Sequence, residues 1–142
     1  MSKSNAFETD LLEMIFNAVE ISSLDSTGGS TDLWVGLHEG DPGEAGDQTT
    51  NETAYTGYTR IATDRSTESS GWTVASGSAS PVSAITFPQA TSTSTGTITY
   101  ASVGLTSSGT GYLIYSGALS PTINYGQNVT PQLSTDSAIT ED

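Results

Sequence analysis

The sequence predicts a mainly β protein: a single-domain β-sandwich or jelly-roll-like fold with one N-terminal α-helix. Three observations predict it. From residue 32 onward, apolar residues recur with period two in short runs separated by Gly, Ser, Thr and Pro. Ser and Thr make up roughly a third of the chain while hydrophobic residues reach only 34 %, a balance that suits strands with a solvated face better than a helical bundle. The stretch near the N-terminus instead spaces its apolar residues by three and four.

That stretch is the expected helix, residues 5–21, preceded by an N-terminal arm, residues 1–5. Ser4 or Asn5 can cap it, and Glu8 follows close to capping-box spacing. Phe7, Leu11, Leu12, Ile15, Ala18 and Val19 form one apolar face. Glu8, Asp10, Glu13 and Glu20 fall largely outside it, and the first two sit where the helix N-terminus is positive. Asp25–Asp32, with Gly28 and Gly29, reads as the loop that follows.

The β region, residues 32–142, is expected to hold eight short strands. Leu33, Val35 and Leu37 alternate with Trp34, Gly36 and His38 in the first. Tyr58–Asp64, Gly71–Ala75 and Ala84–Phe87 follow, the last ended by Pro88. Thr97–Leu105 is the longest, and Tyr112–Leu119 is strongly apolar, with Gly117 marking a bulge or close approach. Asn128–Leu133 and Ala138–Glu141 complete the series. Between them, Glu39–Gly57 is long enough to be an interaction loop, and Ser66–Gly71 and Gln89–Gly96 are Ser/Thr-rich connections. Trp34, Phe87, Tyr100, Tyr112 and Tyr115 read as sheet or core residues, whereas Tyr55, Tyr58 and Trp72 flank loops where subunits could meet.

Charge excludes several partners. Lys3, Arg60 and Arg65 are the only basic residues against 16 acids, for a net charge of −13. Neutralising phosphates takes clustered Lys and Arg, so nucleic acid is not an expected partner, and neither is an anionic membrane. No apolar run approaches the roughly 20 residues that span a bilayer. The start MSKSNAFETD lacks the basic-then-apolar pattern of a signal peptide, so synthesis in a cytoplasm is expected. The chain has no Cys, which excludes a disulfide scaffold, a thiolate zinc site and a Cys nucleophile.

Catalysis has little to build on. His38 is the only histidine, so any Ser–His–Asp arrangement needs it. The patterns GxSxG, HExxH and GxxxxGK[ST] are absent. Acids are plentiful but show no fixed pairing of the kind that cleaves glycosides. The chain is expected not to be an enzyme, and no cofactor is implied. Asp41, Glu44 and Asp47 recur at spacing three in a Gly-rich loop and are the candidate ligands for Ca²⁺. That spacing is not an EF-hand's, and the same residue types build solvated turns.

The order of segments carries more than any one motif. Val35–Gly43 (VGLHEGDPG), Tyr55–Ala62 (YTGYTRIA), Ala84–Thr91 (AITFPQAT), Leu113–Leu119 (LIYSGAL) and the terminal AITED follow the N-terminal helix. In this the chain resembles a family of tailed-bacteriophage virion proteins loosely named tail fibre proteins, some of which are similar to capsid decoration, or cement, proteins. The resemblance implies a non-enzymatic virion component. In the decoration role it implies a homotrimer on the outer surface of the phage head, clamping neighbouring copies of the major capsid protein. The alternative is a tail, baseplate or fibre protein used in host recognition. Thr63–Ser83 departs from the family in its wealth of Ser, Thr and acids. The residues expected to meet the shell are the arm (Met1, Ser2, Lys3, Ser4 and Asn5) together with Glu39, Asp41, Tyr55 and Tyr58.

Overall fold

The computed structural model describes residues 2–22, 24 and 31–140. In chain order the elements are β1 (Ser2–Lys3), α1 (Asn5–Asn17), β2 (Asp32–His38), β3 (Ile61–Asp64), β4 (Trp72–Ala75) and β5 (Ser78–Pro81). They continue with β6 (Ile85–Thr86), β7 (Gly96–Gly104), β8 (Leu113–Tyr125), β9 (Gln132–Leu133) and β10 (Ile139–Thr140). All pairings are antiparallel. A five-stranded sheet runs β1-β8-β7-β2-β3, and two small sheets, β10-β5-β4 and β6-β9, pack across it to make a β-sandwich-like domain.

β2 is central because its two faces do different work. Leu33, Val35 and Leu37 point to one side, where Val35 lies opposite Val103 and Leu37 opposite Ala101 of β7. With Ile98, Phe87 and Leu133 these make the apolar core, and Trp72 and Ile139 of the small sheet close over it. Gly36 and His38 lie on the other face, where the chain is buried again beneath residues 39–60.

Three local features depart from the sequence pattern. The stretch between the expected strands Gly71–Ala75 and Ala84–Phe87 hides a hairpin: Ser76 and Gly77 both take positive φ (52° and 74°), the geometry of a two-residue turn whose twist matches its strands. It folds β5 onto β4, with Ala75 opposite Ser78. β8 runs to Tyr125 rather than Leu119, and neither of the two register shifts along its pairing with β7 falls at Gly117, which pairs in register with Ala101. Between the pairs Ile98–Ile123 and Tyr100–Ala118, β7 uses one residue and β8 uses four. Pro121, which has no N–H to give to the ladder, sits in that surplus.

The third departure is α1, which stops at Asn17 rather than residue 21. Ser4 is its N-cap and accepts from the Phe7 N–H at 3.2 Å. Ala18 turns into the left-handed region (φ 55°), and the chain there bonds back to the Glu13 carbonyl. Phe7 is the helix's one buried residue and meets Tyr115 edge to face, with ring centroids 5.7 Å apart. The rest of the expected apolar face is not covered: Leu11 is half-buried, and every residue from Leu12 to Glu20 is exposed. The loop read over 25–32 lies, for residues 25–30, outside the described residues.

Candidate functional site

The arm and the long loop are the expected interaction segments, and the structure ties both to the body of the domain. Ser2 and Lys3 pair with Ser116 and Tyr115 as an edge strand. Ser4 is buried, and its hydroxyl donates to the Leu113 carbonyl. Asn5 N–H reaches the Glu44 carbonyl at 2.9 Å. Ser2, Asn5, Glu39 and Asp41 keep exposed surface, Lys3 and Tyr58 are half-buried, and Ser4 and Tyr55 are buried. Met1 lies outside the described residues. The cause is polar satisfaction. Tyr55 donates to the Pro88 carbonyl at 2.8 Å, and burial pushes its phenol up to about 12.

Residues 39–60 bury a connected polar network against the far face of β2 and β7. His38 and Ser102 are both fully buried, with Nε2 and Oγ 2.7 Å apart. His38 Nδ1 lies 2.8 Å from the Thr50 carbonyl. A carbonyl only accepts, so Nδ1 carries the proton and Ser102 Oγ–H donates to Nε2. Burial holds the imidazole below its ordinary value, with Arg60 adding to that, against the opposing pull of the Thr50 carbonyl and Glu52.

Beside it lies an ion pair in fork geometry. Arg60 Nε and Nη2 each donate to one Glu52 oxygen, both at 2.7 Å. Arg60 also donates to the carbonyls of Thr106 (3.0 Å) and Gly109 (2.9 Å). Tyr58 gives its hydroxyl proton to Glu52 at 3.0 Å and accepts from the Leu37 N–H at 3.0 Å; burial raises its phenol strongly. Gln48, fully buried, accepts from the N–H groups of Leu105 (3.1 Å) and Thr106 (3.0 Å). Two glycines make room for it. A Cβ on Gly104 would come within 2.1 Å of Gln48 Cδ, and one on Gly111 within 1.9 Å of Gln48 Oε1. Among the described residues, every buried side-chain N and O has a hydrogen-bond partner.

Chemically, the Ser102–His38 contact has the form of a nucleophile and its base. Its surroundings give it a different use. Nδ1 is held by a backbone carbonyl and not a carboxylate, both Glu52 oxygens are taken by Arg60, and neither Ser102 nor His38 exposes surface to a substrate. The pair ties β2, β7 and the 39–60 segment together. Of the three acids expected at a cation site, Glu44 is exposed and Asp41 and Asp47 serve turns. Asp41 Oδ1 accepts from the Gly43 N–H at 2.8 Å, and Asp47 Oδ1 accepts from Thr49 N–H and Oγ1 at 2.7 and 2.6 Å. These bonds hold the Asp47 carboxyl below its usual range. Among the described residues, no three His, Asp or Glu side chains gather as metal ligands. A concavity of about 560 Å³ lies between the large sheet and β4–β5, lined by Leu33, Trp72, Val74, Val103, Tyr115 and Ile139 among others. Among the described residues, its lining contains no His, Asp or Glu.

Sequence reading missed the Ser102–His38 and Arg60–Glu52 pairs. Arg60 carried a signal: one of three basic residues, set in an alternating apolar stretch, needs an acid nearby, and Glu52 is eight residues upstream. Ser102 and Gln48 are unremarkable locally, and only the pairing of β2 with β7 gives them their roles.

His38 yields a clean pH test. Its folded value lies below the ordinary 6.5, so the unfolded chain binds the proton more readily. Stability contributed by neutral His38 is therefore full above that range and declines as pH falls through 6.5, by at most about 1.4 kcal/mol per pH unit. With no other histidine in the chain, little else titrates between pH 7 and about 5.5. The melting temperature is expected to hold level from pH 8 to 7 and fall below 6.5. In His38→Gln that slope disappears. A wild-type curve that stays flat down to pH 5.5 contradicts the assignment.

A family model described as Podophage GP4 fiber I protein gp80 matches residues 2–138 of the chain. A search of curated proteins finds no match.

Proposed function

The chain belongs to the Podophage GP4 fiber I protein gp80 family, a phage structural protein family, and from that membership we propose that it serves at the fibre of the virion by binding other virion proteins, without catalysis. The match over residues 2–138, nearly the whole chain, carries this reading. The sealed Ser102–His38 pair supports it: a buried network with every polar atom paired makes a stiff scaffold and leaves no accessible acid or base beside a nucleophile. Association then works through surface patches that a fixed body holds in register.

A second reading, decoration of the head as a homotrimer clamping the major capsid protein, draws on the compact body. A β-sandwich-like domain with no internal repeat has no shaft of its own. Gold-labelled antibody against the chain, applied to intact particles, separates the two. Label gathered around the tail supports the fibre reading. Label spread over the capsid overturns it in favour of decoration, and no label on particles overturns both.

A further inference from the structure

We propose that the exposed C-terminal half of α1 is an anchor that seats in an apolar groove, rimmed by Lys and Arg, on a different protein of the particle. This rests on the virion reading above and adds a surface and a partner chemistry to it. Leu12 (55 % exposed), Ile15 (60 %), Phe16 (77 %) and Val19 (49 %) stand uncovered. At roughly 100° per residue, Leu12 and Phe16 point about 140° and 180° away from Phe7, which holds α1 to β8, and Ile15 lies between them and Phe7, so the three share one exposed side of the helix. A lone half-helix of this length is marginal in water, and a Phe left three-quarters exposed stabilises nothing in this chain.

The flank names the occupant. Glu13 and Glu20, with Asp10, whose carboxylate already accepts from the Tyr112 hydroxyl, line one hollow of about 150 Å³ beside the stripe, and Glu8 lies at its N-terminal end. A second copy is a poor match for such a rim. It brings its own share of a −13 charge, and of its three basic residues Arg60 is buried in an ion pair, while Lys3 and Arg65 are engaged within the chain. An anionic lipid surface is repelled for the same reason. A protein groove with apolar floor and basic rim satisfies both the stripe and the carboxylates, in the manner of an amphipathic helix laid in a groove.

Competition during assembly tests it. Host cells expressing a tagged copy of the full chain are infected with phage encoding the untagged one, and the tagged share in purified particles is measured. Tagged wild-type chain is expected to enter in proportion to its expression. Phe16→Ser is expected to enter at a tenth of that or less, with its melting temperature unchanged, because Phe16 touches no core. Glu13→Lys/Glu20→Lys is expected to fall severalfold while staying folded. Equal incorporation of Phe16→Ser and wild type overturns the anchor and leaves the virion reading standing. Absence of both tagged and untagged chain from particles overturns the two together. Sedimentation supplies the other outcomes: self-association of the purified chain that Phe16→Ser abolishes makes the occupant a second copy. Flotation of the wild type, but not Phe16→Ser, with phosphatidylcholine vesicles makes it a lipid surface. Either result overturns the proposal.

Discussion

Replacing Arg60 by methionine is expected to destabilise the fold by about 3–5 kcal/mol, the usual cost of leaving one partner of a buried ion pair without the other. Methionine keeps much of the side-chain volume, so the loss isolates the charge. Glu52 is left with the Tyr58 hydroxyl alone, and the Thr106 and Gly109 carbonyls lose their shared donor. For a chain of this size the melting temperature is expected to drop by roughly 10–20 °C. The double variant Glu52→Gln/Arg60→Met buries no charge and is expected to recover part of the loss. Because the same guanidinium ties Glu52 to the 106–109 turn, hydrogen exchange across residues 48–58 and 105–111 should quicken together in the single variant. A drop under about 1 kcal/mol with unchanged exchange contradicts a structural role for the pair.

Phe87→Ala is expected to cost about as much, 3–5 kcal/mol, by a different route. Phe87 is 1 % exposed and stacks on Tyr58 with ring centroids 6.2 Å apart. Its backbone N–H bonds the Pro131 carbonyl, beside the β6–β9 pair. Truncation therefore opens a cavity where the apolar core, the 39–60 segment and the small sheet meet. Phe87→Leu keeps most of the volume and is expected to cost distinctly less, about 1–2 kcal/mol. Denaturant titration separates the cases: both variants should lower the midpoint, Phe87→Ala far more, with slopes near that of wild type. Equal small shifts for the two contradict close packing at this site.

How far the fold was legible in the sequence depended on how each residue is stabilised. Leu33, Val35 and Leu37 bury one face of β2, so their alternation announced the strand and its boundaries. Ser78–Pro81 has no such alternation; β5 exists because the Ser76–Gly77 turn returns the chain onto β4, and a dipeptide is a faint signal within a Ser-rich stretch. The Pro121 irregularity in β8 was written in the proline, but Gly117 offered a more familiar cue and misled.

The 39–57 loop misled for a deeper reason. Asp, Gly, Pro and Thr are read as solvated, yet hydrogen bonding can bury them as firmly as apolarity buries Leu. Gln48 and Thr53 became core residues through partners far along the chain or across a turn, which no local pattern encodes. With the loop folded in, Tyr55 is buried and Tyr58 half-buried, both held by hydrogen bonds within the chain. The helix erred the other way. Its apolar face was legible, but a period of 3.6 says that a face wants cover and not whether the chain itself supplies it.

The chain belongs to a phage structural protein family, and its proposed place is the fibre side of the particle. Separating purified particles into head and tail fractions and counting copies of the chain against the major capsid protein tests it most directly. The account predicts a small, fixed number of copies that stays with the tail fraction. A near one-to-one ratio with capsid protein in the head fraction would contradict it and assign the chain to the outer surface of the shell.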